Sequence, residues 1–177
     1  MVIFKRFPPL AQVASVYSFI VLVIYTWTIL WFFWRLPGWL YFLSVGEILV
    51  VFAYSMMTNL FESLLILCLP LGLSLVLPRK WFSDVFTTRS IVVVFTTLAY
   101  AVYILTQFGS RDDYPNEIVR LIPVVLLFSV VLAFLVGKVG ILVKAIDFFA
   151  KQTIVFLYIT IPVSLVSSLV VLVRSVF

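Results

Sequence analysis

Histidine is absent from the 177-residue chain, and cysteine occurs once, as Cys68. Without these residues the chain can form no internal disulfide framework, no zinc site built from cysteine and histidine, and no haem site with a histidine ligand. A catalytic triad with a histidine base is excluded for the same reason. The chain therefore lacks the side chains on which most familiar metal centres and hydrolytic sites depend.

Charged residues are also scarce, at 11% of the chain against about 25% in an average soluble domain. The six glycines are dispersed, so the chain has no glycine-rich phosphate-binding loop. An intramembrane aspartyl protease pair is not expected, because every aspartate lies at or outside the expected membrane edges: Asp84, Asp112, Asp113 and Asp147. We therefore expect a non-catalytic protein with no cofactor and no bound metal.

Apolar side chains dominate the composition, with 65% hydrophobic and 18% aromatic residues and a mean hydropathy of +1.28. An average soluble domain is only about 45–50% apolar. The composition predicts an all-α, polytopic integral membrane helical bundle, with residues 1–177 forming a single transmembrane domain. The net charge of +5 suits contact with anionic lipid headgroups. No nucleic-acid partner is expected, because basic residues never occur in runs longer than two.

Six apolar segments are long enough to cross a hydrocarbon core of about 30 Å, which takes about 20 helical residues. They are residues 11–34, 39–57, 60–77, 90–108, 120–143 and 153–173. Between the last two, Lys144, Asp147 and Lys151 share one helical face, which predicts a short amphipathic turn at the membrane interface. In the loop before residue 120, the carboxylates of Asp112, Asp113 and Glu117 are the kind of ligand that divalent cations prefer, but their spacing is not that of an EF-hand. We therefore expect a solvated loop.

The second and third segments are predicted as a hairpin. Residues 39–77 contain no basic residue, and as one helix they would be nearly twice the membrane thickness. Asn59 and Glu62 match a capping box, with Asn59 as the N-cap of a new helix. We therefore predict a tight turn at residues 58–59 and six crossings, with a kink at Pro70 and Gly72.

Two observations favour the alternative of five crossings with one long broken helix, which continues from residue 39 through at least residue 62 and is followed by a re-entrant or interfacial piece. At about 100° per residue, six polar residues fall on one helical face: Ser44, Glu47, Tyr54, Ser55, Thr58 and Glu62. With five crossings and an internal N-terminus, eight basic residues lie inside and four outside, whereas the best six-crossing arrangement gives seven and five. Both arrangements place residues 79–89 and 144–151 in the cytoplasm.

Glu47 is the leading candidate for a functional residue. It lies about eight residues into its predicted span, where an ionisable group costs roughly 2.5–3.5 kcal/mol on insertion scales. Tyr54 follows two turns later on the same face. Desolvation would favour the neutral acid, which suits a proton or cation relay. The alternative is a hydrogen-bonded Glu47 that fastens two helices, with Glu62 as a helix cap.

Small residues predict where helices touch. Thr160, Ser164 and Ser168 recur every fourth residue in the last span, and Ala14 and Ser18 do so in the first. Such spacing lets two helices approach closely. Because the spans are otherwise almost entirely apolar, we predict a non-catalytic membrane subunit or scaffold that packs against other membrane chains or its own copies.

The alternative function is a small oligomeric transporter or channel coupled to protons or cations through Glu47 and Glu62. In both cases the expected surroundings are a lipid bilayer, and the expected location is the plasma membrane, crossed several times.

Overall fold

The computed structural model describes residues 7–78, 82–108 and 115–176. These residues form six helices and no strand: α1 (Leu10–Trp39), α2 (Val45–Val76), α3 (Phe86–Phe108), α4 (Asn116–Val136), α5 (Gly140–Gln152) and α6 (Val155–Val176). All except α5 are long and apolar enough to cross a membrane, which gives five candidate spans in the described part of the chain. The predicted helical membrane bundle is confirmed. The loop with Asp112 and Asp113 and the Glu117 side chain lie outside the described residues.

The predicted hairpin at residues 58–59 is wrong, because α2 is one continuous helix of 32 residues that also runs through Pro70. At 1.5 Å per residue it is about 48 Å long, longer than the hydrocarbon core. Asn59 is no helix cap. Its side chain is buried against α1, where its Oδ1 accepts a hydrogen bond of 2.9 Å from Thr28 Oγ1. The five candidate spans agree with the alternative of five crossings and not with the preferred six, but the long helix is unbroken, so the break expected in that alternative is wrong.

The capping box of this region lies at the start of α2. Ser44 Oγ accepts a hydrogen bond from the Glu47 backbone N–H, and Glu47 Oε2 accepts one of 2.7 Å from the Ser44 backbone N–H. A carboxylate in the first turn also suits the positive end of the helix dipole. The helix before it, α1, ends at Trp39, five residues beyond the predicted end and past Pro37.

The first helix lies at the centre of the bundle. It contacts α2, α3, α5 and α6, while α6 packs along α2 and α4 packs along α3. Hydroxyl pairs join α1 to its neighbours. Tyr25 Oη lies 2.6 Å from Ser164 Oγ on α6, and Ser18 Oγ lies 2.8 Å from Thr153 Oγ1. Tyr17 Oη lies 3.3 Å from Ser63 Oγ on α2.

The predicted fifth span is shorter than expected, because α4 ends at Val136 and α5 begins as a separate helix at Gly140. One side of α5 contacts the bundle through buried Ala150, and the side chain of Asp147 accepts a hydrogen bond of 3.0 Å from Thr88. Ile141 and Phe148 are exposed on its apolar side. This arrangement is typical of a helix that lies in the membrane interface.

Five crossings also give the chain an orientation. The positive-inside rule places the N-terminal end of α1 in the cytoplasm, together with α5 and the C-terminal end of α2. We call this the inner end of the bundle. The outer end comprises the C-terminal ends of α1, α3 and α6 and the N-terminal ends of α2 and α4.

We predict that the hydrogen bond between Tyr25 and Ser164 stabilises the contact of α1 with α6. In a double-mutant cycle of Tyr25→Phe and Ser164→Ala, the coupling in the free energy of unfolding should be about 0.6–1.7 kcal/mol, as found for hydroxyl contacts between membrane helices. The measurement is an unfolding titration of the purified protein in mixed micelles. The control is Tyr158→Phe, a tyrosine of α6 that is 77% exposed, for which we expect almost no change. A coupling near zero would contradict the prediction.

Candidate functional site

A groove with a polar lining lies between α1 and α2. Its volume is about 500 Å³, and we call it the polar groove. It is lined by Thr28 of α1 and by Val51, Tyr54, Ser55, Thr58, Asn59 and Glu62 of α2. These α2 residues fall on one side because the helix is continuous and keeps its period of about 3.6 residues from one turn to the next.

The position of Glu62 along α2 is the most unusual feature of the groove. The residue lies close to the midpoint of the 32-residue helix, and its side chain is exposed. Within the described part of the chain no basic side chain forms an ion pair with it. An ionised carboxylate at the centre of a bilayer is costly unless it is paired or neutralised. Glu62 therefore needs a proton, a bound cation or a group from another chain.

The threonine and serine hydroxyls of the polar groove donate their protons to other groups of the chain. Thr58 Oγ1 donates to the Tyr54 carbonyl and Ser55 Oγ donates to the Val51 carbonyl, each at 2.9 Å. Thr28 Oγ1 donates to Asn59 Oδ1, also at 2.9 Å. A hydroxyl has one proton and two lone pairs, so these oxygens have only acceptor capacity left. Together with the Glu62 carboxylate, they make the groove a site for positive charge.

Asn59 forms the floor of the groove. It is 3% exposed, and its amide Nδ2 has no hydrogen-bond partner among the described residues. A buried donor without a partner costs roughly 1–3 kcal/mol. The side chain keeps this orientation because its oxygen is held by Thr28. This unfavourable free energy of the unpaired amide arises one helical turn from Glu62, where the polar groove reaches the middle of α2.

The α2 residues of the polar groove lie in the outer half of the helix and at its middle, and Glu62 is the last of them. From Val51 to Glu62 it extends along about 16 Å of helix. Toward the inner end, α2 continues with Ile66, Leu69 and Leu73, which pack against the core. The next hydroxyls in that direction are buried, and each donates to a carbonyl of its own helix: Ser63 to Leu60, and Ser74 to Leu71. Polar access to Glu62 is therefore one-sided in the described part of the chain.

Glu47 and Tyr54 occupy different places from those predicted. Glu47 is not in the interior of a span, because α2 begins at Val45 and the Glu47 side chain caps that first turn. Tyr54 lies on the rim of the polar groove and is 46% exposed. The structure therefore brings Tyr54 and Glu62 together in one groove and leaves Glu47 at its outer end.

The small residues predicted to pack against other helices lie mostly inside the chain. Ser164 and Ser18 are fully buried, and both form interhelical contacts with hydroxyl groups. Thr160 and Ser168 donate to carbonyls one turn earlier in α6. Ala14, in α1, is partly buried.

Two polar residues with buried contacts were missed in the sequence. Thr28 is surrounded by aromatic residues, and nothing in its sequence context indicates that it faces Asn59. Arg89 was predicted in a loop, but α3 begins at Phe86, and Arg89 is 6% exposed. Its guanidinium lies 5.7 Å from the ring centre of Phe134. A Cβ added at Gly137 would lie 2.7 Å from Arg89 Nε, so a larger residue there would displace the guanidinium.

The described residues contain no cluster of three or more acidic, cysteine or histidine side chains that could hold a metal ion. The loop carboxylates at Asp112, Asp113 and Glu117 are not among the side chains described. Comparison of the chain with protein-family models, with curated proteins and with solved structures finds no match in any of the three. The site must therefore be interpreted from its own geometry.

We predict that water reaches Thr58 from the outer side of the membrane. In a Cys68→Ala background, Thr58→Cys should react about tenfold faster with a charged, membrane-impermeant thiol reagent than Leu65→Cys does, because only a hydrated thiol forms the reactive thiolate. Leu65 is the matched control, since it lies in the same helix and is 74% exposed on its apolar side. The measurement is the labelling rate with reagent added from one side of reconstituted vesicles. Equal rates at both positions would show that the groove is not hydrated.

Proposed function

We propose that this multi-pass membrane protein binds a proton or a small cation at Glu62 and works as one non-catalytic subunit of a larger transport assembly. The observation that supports this proposal is the composition of the polar groove. Its threonine and serine oxygens can only accept hydrogen bonds, and it ends at a mid-helix carboxylate without a basic partner among the described residues. A carboxylate among oxygen acceptors favours positive charge.

The one-sided access to Glu62 supports an assembly over a single acting chain. Toward the inner end, a charge bound at Glu62 meets apolar residues of α2, so the described part of the chain offers no continuous polar path by itself. Other helices are needed to complete one. The partners are further copies of this chain or different membrane proteins, and we propose the plasma membrane as the location.

A second copy would not supply a basic residue at the depth of Glu62. The basic residues of the described spans lie near helix ends: Arg35, Arg89, Arg120 and Arg174. In a homo-oligomer, the charge of Glu62 would therefore be balanced by a proton or by a bound cation. This argument favours ion binding over a purely structural ion pair between copies.

The second candidate function is a scaffold without ion handling, in which a basic residue of a different chain pairs with Glu62. The exposure of Glu62 and Tyr54 favours it, because both side chains are accessible to a neighbouring helix. The small residues of α6 support it less than expected from the sequence. Ser164 and Ser167 are buried within this chain and offer little surface to a partner.

We predict that Glu62→Gln removes ion coupling while the assembly stays intact. The substitution keeps the shape of the side chain but removes its charge and its exchangeable acid proton, so proton flux into reconstituted vesicles should fall at least about tenfold. Infrared difference spectra recorded across a pH change should lose one carboxylic-acid band. Flux is measured with a trapped pH-sensitive dye, with and without a sodium gradient.

The matched control is Glu47→Gln. Glutamine at this position also completes a capping box, so we expect unchanged flux and a loss of at most about 1 kcal/mol of stability, because the interaction of the carboxylate with the helix dipole is removed. Native mass after mild extraction is measured for both variants. If Glu62→Gln keeps its flux and its infrared spectrum but loses a co-purifying chain, the scaffold function is correct and ion binding is wrong.

A further inference from the structure

A second groove meets the polar groove at Glu62. It lies between α1, α2 and α3 and has a volume of about 600 Å³, and we call it the apolar groove. Its walls are mainly aliphatic and include Leu22, Ile66, Leu98, Ala101 and Leu105, with Trp27 as its aromatic member. Glu62 is the only charged residue in its lining.

The size and lining of the apolar groove are typical of sites for small organic molecules. Such sites have volumes of about 300–1,000 Å³, apolar walls and a few polar groups that fix the orientation of the ligand. Apolar walls alone would not distinguish a ligand from a lipid chain, because both are apolar. The carboxylate makes the distinction, since it attracts a positive charge to one end of an otherwise apolar groove.

We propose that the apolar groove binds an amphipathic organic cation, such as a lipophilic quaternary ammonium or phosphonium ion. Its apolar body contacts the aliphatic walls, and its charge lies next to the Glu62 carboxylate. Trp27 is 40% exposed and lines the same groove, so its ring offers a face for a cation–π contact. This inference rests on the proposed function, and it names the class of cation that the Glu62 carboxylate binds.

The two grooves share Glu62 and Thr28 in their linings. One carboxylate neutralises one positive charge, so a proton and an organic cation compete for Glu62. When the cation binds the protonated site, the O–H bond of the acid breaks, the proton leaves through the polar groove, and the carboxylate pairs with the cation. No redox step is involved, and charge balances because one cation replaces one proton.

The test uses the purified full chain in lipid nanodiscs and tetraphenylphosphonium as the probe. Titration calorimetry in buffers of different ionisation enthalpy gives both the affinity and the number of protons released. Because a proton and the probe compete for one carboxylate, we expect proton release on binding and an affinity that rises with pH. Glu62→Gln should weaken binding at least tenfold and abolish proton release. The neutral analogue triphenylphosphine oxide should bind at least tenfold more weakly than the probe.

A second variant separates this inference from the proposed function. Ala101→Phe fills the apolar groove without touching the polar groove, so it should lose probe binding but keep the carboxylic-acid infrared band of Glu62. The matched control is Ala145→Phe, which adds the same ring at an exposed position of α5. If Ala101→Phe fails to fold, Val102→Trp in the same wall replaces it.

The possible outcomes lead to different conclusions. Binding that does not depend on pH, and that the neutral analogue matches, would show a site for lipid chains and would overturn the inference while Glu62 still binds protons. Undiminished binding in Ala101→Phe would overturn the assignment to the apolar groove. If no variant loses the infrared band, the proposed function itself is overturned.

Discussion

The structure depends on one constraint, which is that the hydrocarbon core offers no hydrogen bonds to a polar side chain. Many hydroxyls within the spans meet it locally by donating to the carbonyl one turn earlier, as Thr96 does to Val92 and Thr97 to Val93, whereas Ser90 Oγ has no partner among the described residues. Others, such as Tyr25 and Ser164, meet it across helices. Glu62 is different, because its carboxylate has no such partner among the described residues. When Ser55 and Thr58 donate to carbonyls of their own helix, their oxygens keep acceptor lone pairs that face the polar groove. The hydrogen bonds that satisfy these hydroxyls therefore also provide acceptors for a positive charge.

The continuity of α2 determines where that site lies. Two short segments, Ser44 to Glu47 and Asn59 to Glu62, fit the same capping pattern, and only the first caps a helix. The difference comes from tertiary packing, because Asn59 is buried against Thr28 and Ser44 is exposed. A local pattern cannot contain this information. The polar face along α2 could have decided the question, since six residues hold one helical phase through residues 58–59 only if the helix does not break there.

The sequence alone predicted the helical membrane bundle, the separate amphipathic segment and the polar face of α2, because each depends on composition or on the period of a single helix. Thr28, Asn59 and Arg89 were not predicted in their roles. Their contacts depend on how α1, α2, α3 and α4 are rotated about their axes, and no single-helix pattern encodes that rotation. For the same reason the two candidate glutamates exchanged places. Glu62 is at the middle of α2 because the helix does not turn at residues 58–59, and Glu47 is at its start because the helix begins at Val45 and not at residue 39.

The meeting of two grooves at one carboxylate limits what a single chain can do. The polar groove lies along the outer half of α2, and the apolar groove opens between three helices, but within the described part of the chain neither continues through polar residues to the inner end. A positive charge bound at Glu62 can therefore reach the inner side only if helices move or if another chain completes the path. The hydrogen bond between Thr28 and Asn59 lies where the two grooves meet and joins α1 to α2. Any separation of these helices must break it, and doing so would free the oxygen of a side chain whose amide is already unpaired. The unfavourable free energy of the unpaired amide thus lies at the contact between Thr28 and Asn59, which a separation of α1 from α2 would have to break.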